Sequence, residues 1–422
     1  MSTIIHNIGV LVHLDEASID GELFAKEMAI VTNCDVIERI YSSEAALEEY
    51  GREGSGDHTL VDAQGRAVVP GFIDTHTHLL WAGDRSQEVA WRHEGKSYID
   101  IAQLGGGIAS TVSATRSAPS DSMMARGVNR MRQALRTGTT HMEAKSGYGL
   151  STESELNLLK MMDELSRHQG LPSLDITWMG AHDAPPGTSI NDYTESLLSD
   201  QLPSVVDQGI ARSMDVFCEP GWFSIDQTSD LLVAGKKHGL ALRMHIDEFA
   251  DGGGGDLAIE HKVQTADHAY HTPIETRMAM TETGVNTGYL PGTPYAMGDP
   301  FPDMREVIQH GVHFTLATDF NPNCQTLSLP FMGSLMVQRA GLHPMDALKA
   351  VTSRAASTSP HPSGMDHGVL REGAVANFNI LSSPHWESWA LQPSHTPVWS
   401  TMLEGNLIEH THLNPHQTHF HN

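Results

Sequence analysis

The sequence predicts an α/β protein: a (β/α)8 barrel of the TIM type, with a small β-sandwich domain formed from the N- and C-terminal segments. Three observations predict it. From about residue 68, short apolar runs alternate with amphipathic helical stretches. The runs number eight, near 70–78, 139–146, 174–182, 214–219, 241–248, 264–269, 285–291 and 313–321. Several close on a polar residue: His76 and His78 in Gly71-Phe-Ile-Asp-Thr-His-Thr-His78, then His245, His268 and Asp319. Eight strands alternating with helices favour a closed barrel over an open sheet.

Each element has its own pattern. The first 65 or so residues read as short strands and turns, with Ile4–Val12, Ala29–Val31 and Asp35–Ile37 separated by Gly-rich and acidic stretches. Between the barrel strands the clearest helices are 152–168, where Leu156, Leu158, Leu159, Met162 and Leu165 fall at helical spacing, and 225–238. Pro344–Val351 reads as a helix beyond the eighth strand. Gly368–Leu381 and Thr401–Ile408 then return to strand-like alternation. These divisions predict a β-domain from 1–67 plus 368–410 and a barrel from 68–367. The His-rich, polar residues 411–422 read as a flexible tail, with weak metal chelation as the sharper alternative.

Composition excludes several classes. A chain of 422 residues, 39% hydrophobic and 18% charged, is long enough for one large domain and a smaller one. A formal net charge of −26 with only 26 Lys plus Arg argues against nucleic acid or an anionic membrane as partner. A small anionic substrate remains compatible, given one or two well-placed arginines. No run approaches the roughly 20 apolar residues of a membrane span. The first residues show no export signal, and Cys34, Cys218 and Cys324 make no disulfide framework. A reducing cytoplasm is the expected location.

In a barrel the carboxyl ends of the strands share one mouth. His76, His78, His245, His268 and Asp319 would meet there. An isolated His-x-His is weak evidence among 26 histidines, but polar residues at four separate strand ends are not. Imidazoles and a carboxylate suit one divalent ion, zinc or iron(II), and such an ion brings the pKa of water towards about 7.

The chain also resembles the amidohydrolase superfamily and, within it, the imidazolonepropionases. The likeness covers roughly 68–380 and rests on long strings: Gly71–Arg85, Gly95-Lys-Ser-Tyr98, Gly105-Gly-Gly-Ile108, Glu143-Ala-Lys-Ser-Gly-Tyr-Gly149, Gly180-Ala-His182, Asp215–Glu219, His245–Phe249, Leu290-Pro-Gly-Thr293 and Ala317–Pro322. The resemblance implies His76, His78, His245 and Asp319 as metal ligands. It implies Glu248 as the group moving protons between water and ring nitrogen, with His268 and Asp319 holding the water. It further implies Arg85, Tyr98, Tyr148, His182 and Asn321 as substrate-binding positions. Arg85 would pair in bidentate fashion with a propionate carboxylate, and His182 would polarise the carbonyl. Asn323 and Cys324 stand where the family carries Gly and Ser or Thr at substrate-holding positions.

The implied reaction is hydrolysis of 4-imidazolone-5-propanoate to N-formimino-L-glutamate, by attack of metal hydroxide on the ring carbonyl. Competing readings are another carboxylate-bearing five-membered cyclic amide, a metal-dependent deaminase or deiminase, and a non-catalytic barrel. A bridging carboxylated Lys145 is the minor alternative for the metal site. The resemblance also implies a homodimer.

Overall fold

A computed structural model describes residues 2–15, 22–51, 58–96 and 98–410; the side chain of Tyr98 and the expected tail 411–422 lie outside the described residues. Eight parallel strands lie side by side in chain order: Phe72–Asp74, Thr139–Lys145, Ser173–Ala181, Ser213–Cys218, Ala241–Ile246, Thr265–His268, Asn286–Tyr289 and Phe314–Leu316. The seam between the first and last is closed by a parallel bridge between Thr77 and Phe320. There His78 N–H donates to Phe320 O at 2.8 Å, and Asp319 N–H to His76 O at 3.1 Å. The barrel is thus stitched shut by the residues expected to carry the chemistry.

The helices pack where their apolar spacing places them. Thr152–Ser166 starts at Ser151, whose side chain accepts the Ser154 N–H, and buries Leu158, Leu159, Met161, Met162 and Leu165. Ile225–Lys237 opens with a reciprocal Ser224–Gln227 capping box and buries Leu231 and Leu232. Pro344–Ala350 forms the helix expected beyond the eighth strand. No helix among the described residues is long and apolar enough to cross a membrane.

Both chain ends build one second sheet. Its order runs Asn406–Glu409, Val398–Leu403, Phe378–Leu381, Ala67–Pro70, Ser2–Val12, Phe24–Asn33, Val36–Ser42, with His58–Asp62 also paired to Ser2–Val12. The sheet curls back on itself: Val36, on the strand at one end, bridges Val375 just before Phe378–Leu381, and Ala376 N–H donates to Asp35 O at 2.7 Å. Ile5, Ile30, Val68, Phe378 and Met402 fill the space between its halves.

Three local expectations are corrected. Ala67–Pro70 pairs with Phe378–Ile380, so Val68 and Val69 belong to the terminal sheet and the change-over falls at Gly71 rather than at 67/68. A Cβ on Gly71 would sit 2.4 Å from Thr140 Oγ1. Ser43–Tyr50 is a helix within the stretch read as strands and turns; it buries only Ala46, too little apolar surface to show a period. Only Phe378–Leu381 of the expected 368–381 strand forms one.

Candidate active site

His76 and His78 sit two apart just beyond the first barrel strand, which turns both rings the same way. His245 comes from the fifth strand, His268 ends the sixth, and Asp319 follows the eighth. All five are buried. Their donor atoms form two overlapping triads, His76–His245–His268 and His76–His78–Asp319, each with every atom within 4.8 Å of the others. Asp319 Oδ1 lies 3.5 Å from His76 Nε2 and 3.6 Å from His78 Nε2. His268 and Asp319 both adopt left-handed backbone, φ 68° and 49°. Such geometry costs non-glycine residues about 1–3 kcal/mol and clusters at functional sites.

Buried carboxylates stand behind the imidazoles. His76 Nδ1 lies 2.6 Å from Asp267 Oδ2, and His245 Nδ1 lies 2.9 Å from Asp215 Oδ1. A carboxylate accepts, so each Nδ1 donates and each Nε2 keeps its lone pair. Both Nε2 atoms are buried without a hydrogen-bond partner among the described residues. That donor set, neutral imidazoles aimed together beside a carboxylate, fits a divalent ion. Gly288 makes room for the arrangement, since a Cβ there would lie 2.0 Å from Asp267 Oδ1.

Lys145 completes the layer beneath. Its Nζ donates to Asp215 at 2.7 Å and to Glu143 at 2.9 Å, and all three side chains are shut off from solvent. Burial opposes its charge, yet Asp215 and Glu143 raise its pKa on balance. Lys145 is therefore a paired ammonium rather than a free amine open to carboxylation. Asp215, Asp267 and Glu143 received no role from the sequence. The signal was present: acidic residues inside apolar parallel strands must find partners.

The remaining groups surround a cavity of about 280 Å3. Glu248 Oε2 is 3.5 Å from His268 Nε2. Burial, then Asp319 and Glu219, push its pKa well up, which suits a proton carrier. Glu219 holds this loop by accepting the N–H groups of Glu248, Phe249 and Ala250 at 2.9, 3.1 and 3.0 Å.

One expected role changes, and Arg85 gains a partner. His182 Nδ1 lies 3.0 Å from Gly147 O, and a carbonyl can only accept. The ring proton therefore sits on Nδ1, leaving Nε2 as an acceptor rather than the donor that would polarise a carbonyl. Burial and then His245 lower its pKa to about 3, so the ring stays neutral. Arg85 is already engaged: its Nε and Nη2 donate to the two oxygens of Glu88 at 2.8 and 2.9 Å. That pair uses its Nε/Nη2 edge, while Nη1 makes no hydrogen bond among the described residues.

Tyr148, Asn321, Asn323 and Cys324 do line the cavity. Asn321 Oδ1 accepts the N–H groups of Asn323 and Cys324 at 2.7 and 3.2 Å, and its Nδ2 donates to Asp319 O at 2.8 Å. Its side chain shapes the loop more than it offers free polar atoms. Burial and then Asp319 push the Cys324 thiol up to about 12. Cys218 is buried in the barrel core.

Comparison with known proteins identifies relatives over most of the chain. Residues 59–146 match the Amidohydrolase family. The chain is 42% identical over 362 residues to an imidazolonepropionase of Haloarcula marismortui, covering 85% of this chain and 84% of the relative. The chain belongs to the imidazolonepropionase family. An imidazolonepropionase of Symbiobacterium thermophilum is 39% identical over 342 residues, 79% of each chain. An adenosine deaminase structure from Xanthomonas campestris with bound zinc superposes with a TM-score of 0.67 at 14% identity, covering 96% of this chain and 92% of that one. This last likeness shows the fold alone.

Proposed function

We propose that this hydrolase opens 4-imidazolone-5-propanoate with water to give N-formimino-L-glutamate. One observation carries the reading. Imidazoles with fixed tautomers, Asp319 and a Glu248 carboxyl whose pKa burial raises meet at one cavity, in a chain of this family. His76, His78, His245 and Asp319 would hold one divalent ion, zinc or iron(II), and His268 stands beside them. When bound, such an ion supplies an activated water and polarises a carbonyl.

The chain's own residues do the rest. Glu248 takes a proton from the attacking water and returns it to the ring nitrogen as the C–N bond breaks. The ring nitrogen is the leaving group, and the carbonyl carbon, having gained the water oxygen, becomes the new carboxylate of the same molecule. His268 and Asp319 orient the water. The Nε2 lone pair of His182 accepts a ring N–H, which selects a cyclic amide over an aromatic base lacking that proton. Asn321, Asn323 and Cys324 shape the loop over the ring. Tyr148 and Arg85 face the acidic tail, and Tyr98 is assigned there by resemblance. The same resemblance extends the proposal to a homodimer, which sedimentation would check. The free state of all three cysteines supports a cytoplasmic enzyme.

The test is loss of the imidazolone absorbance with one N-formimino-L-glutamate formed per turnover. Release of ammonia would favour the deaminase reading. Faster turnover of another carboxylate-bearing cyclic amide would reassign the substrate.

A further inference from the structure

Glu248 follows the fifth barrel strand and His268 ends the sixth, and their facing atoms, Oε2 and Nε2, lie 3.5 Å apart. The two strands stay in parallel register as far as Ile246 and His268. Beyond that point both chains turn away through left-handed backbone, with φ 47° at Asp247 and 68° and 51° at His268 and Ala269. Side chains other than alanine or glycine seldom accept this region without compensating contacts. Something besides the sheet ladder must therefore keep Glu248 against His268.

Asp247 meets that need. It is fully buried and does not line the cavity. Its Oδ1 accepts the N–H groups of Gly252 and Gly254 at 3.0 and 3.2 Å, which folds the loop 248–253 back over the carboxylate. Its Oδ2 accepts the buried Thr272 hydroxyl at 2.5 Å, reaching across to the loop after the sixth strand. The main chains join as well: Ala269 N–H donates to Ile246 O at 2.9 Å, and His271 N–H to Asp247 O at 3.0 Å. The loop returns so closely that a Cβ on Gly254 would lie 2.7 Å from Ile246 Cβ. Glu219 grips the same loop from the side of the fourth strand, through the N–H groups of Glu248, Phe249 and Ala250. Glu248 thus sits between two buried carboxylates committed to the scaffold, the support that a reacting group needs to hold one geometry.

We propose that Asp247 and Thr272 are positioning residues: their hydrogen bond locks the Glu248 loop to the His268 loop and sets the gap in which the attacking water is held. This rests on Glu248 carrying the proton in the proposed reaction. Neither residue touches the substrate. They act through the backbone on either side of the cavity, so their loss is expected in kcat rather than in substrate binding.

The experiment measures turnover of 4-imidazolone-5-propanoate, and amide hydrogen exchange of the segments 247–254 and 268–273, in the full chain and its variants. Thr272→Val keeps the buried shape and removes only the hydroxyl. It should lower kcat roughly 10- to 100-fold with KM nearly unchanged, and both segments should exchange faster. Asp247→Asn should recover most of what Asp247→Ala loses, because its amide oxygen still accepts from the glycines and its nitrogen donates to the Thr272 hydroxyl oxygen. In a Glu248→Gln background Thr272→Val should cost no further turnover, since it acts through Glu248. An unchanged kcat for Thr272→Val overturns the proposal, as does unchanged exchange in both segments. An equal fold-loss in the two backgrounds also overturns it, because the hydroxyl would then only support the fold. If Glu248→Gln alone turns over normally, the proton-carrier reading falls and this inference falls with it; if Glu248→Gln is impaired and Thr272→Val is not, only the positioning role falls.

Discussion

Histidines cluster at both poles of the barrel, and the two clusters are built differently. At the mouth, His76 and His245 are backed by Asp267 and Asp215. At the opposite pole, His141, His361 and His367 pack with ring centroids 5.0 to 5.8 Å apart. Their partners there are mostly hydroxyls. His141 meets Ser173 Oγ at 2.8 Å and Ser359 Oγ at 2.9 Å, His361 meets Ser363 Oγ at 2.7 Å, and His367 Nε2 meets Ser359 O at 2.9 Å. A hydroxyl donates or accepts as required, so it leaves the tautomer open, whereas a carboxylate decides it. Among the described residues only the mouth brings three donors within 4.8 Å. The acids behind His76 and His245 fix which nitrogen of each ring points into the cavity, which the hydroxyls at the other pole do not.

The comparison can be broken by substitution, taken here in falling order of effect on turnover. Glu248→Gln at the mouth should lower kcat by about 10²- to 10⁴-fold, the usual worth of a general acid–base group. Near-normal turnover in steady-state assays would remove Glu248 as the proton carrier. Asp267→Ala takes away the acid behind His76 and should weaken zinc binding about 10- to 100-fold. Competition with a chromophoric chelator measures this, and Ser173→Ala at the other pole should leave affinity unchanged. Equal losses from the two variants would erase the distinction between the poles.

The smallest effect on turnover is expected from His367→Gln, which should leave kcat at neutral pH intact but alter acid stability. Burial and then His361 lower the His367 pKa to about 4, against a weaker upward pull from the Ser359 carbonyl, Asp366 and Asp175. Between that value and the ordinary histidine pKa of about 6.5, the unfolded chain binds a proton that the folded chain refuses. Stability is then complete above the upper value, falls as the solution is acidified through the window, and levels off below the lower one. The slope from this group is at most about 1.4 kcal/mol per pH unit, and His367→Gln should remove it. Denaturant melts at several pH values read this out; an unchanged slope means that the ring titrates normally.

Much of this was legible in the residues. Parallel strands buried on both faces read as continuous apolar runs, and a polar residue ending such a run stands out. The barrel strands and the residues His76, His78, His245, His268 and Asp319 were therefore visible. The helix Ser43–Tyr50 was not, because it lies on a sheet with almost no apolar face. The Arg85–Glu88 pair spans only three residues, but several acids lie near Arg85 in the chain and only the fold selects the one its guanidinium meets.

Local order and chemical identity were settled by the chain alone, since apolar periodicity and side-chain type need no distant partner. Partnership was settled by tertiary structure. Asp267 lies 191 residues from His76, and Gly147 lies 35 from His182, yet these contacts choose which nitrogen carries the proton. A tautomer depends on what a ring touches, and only the closed barrel brings those groups together.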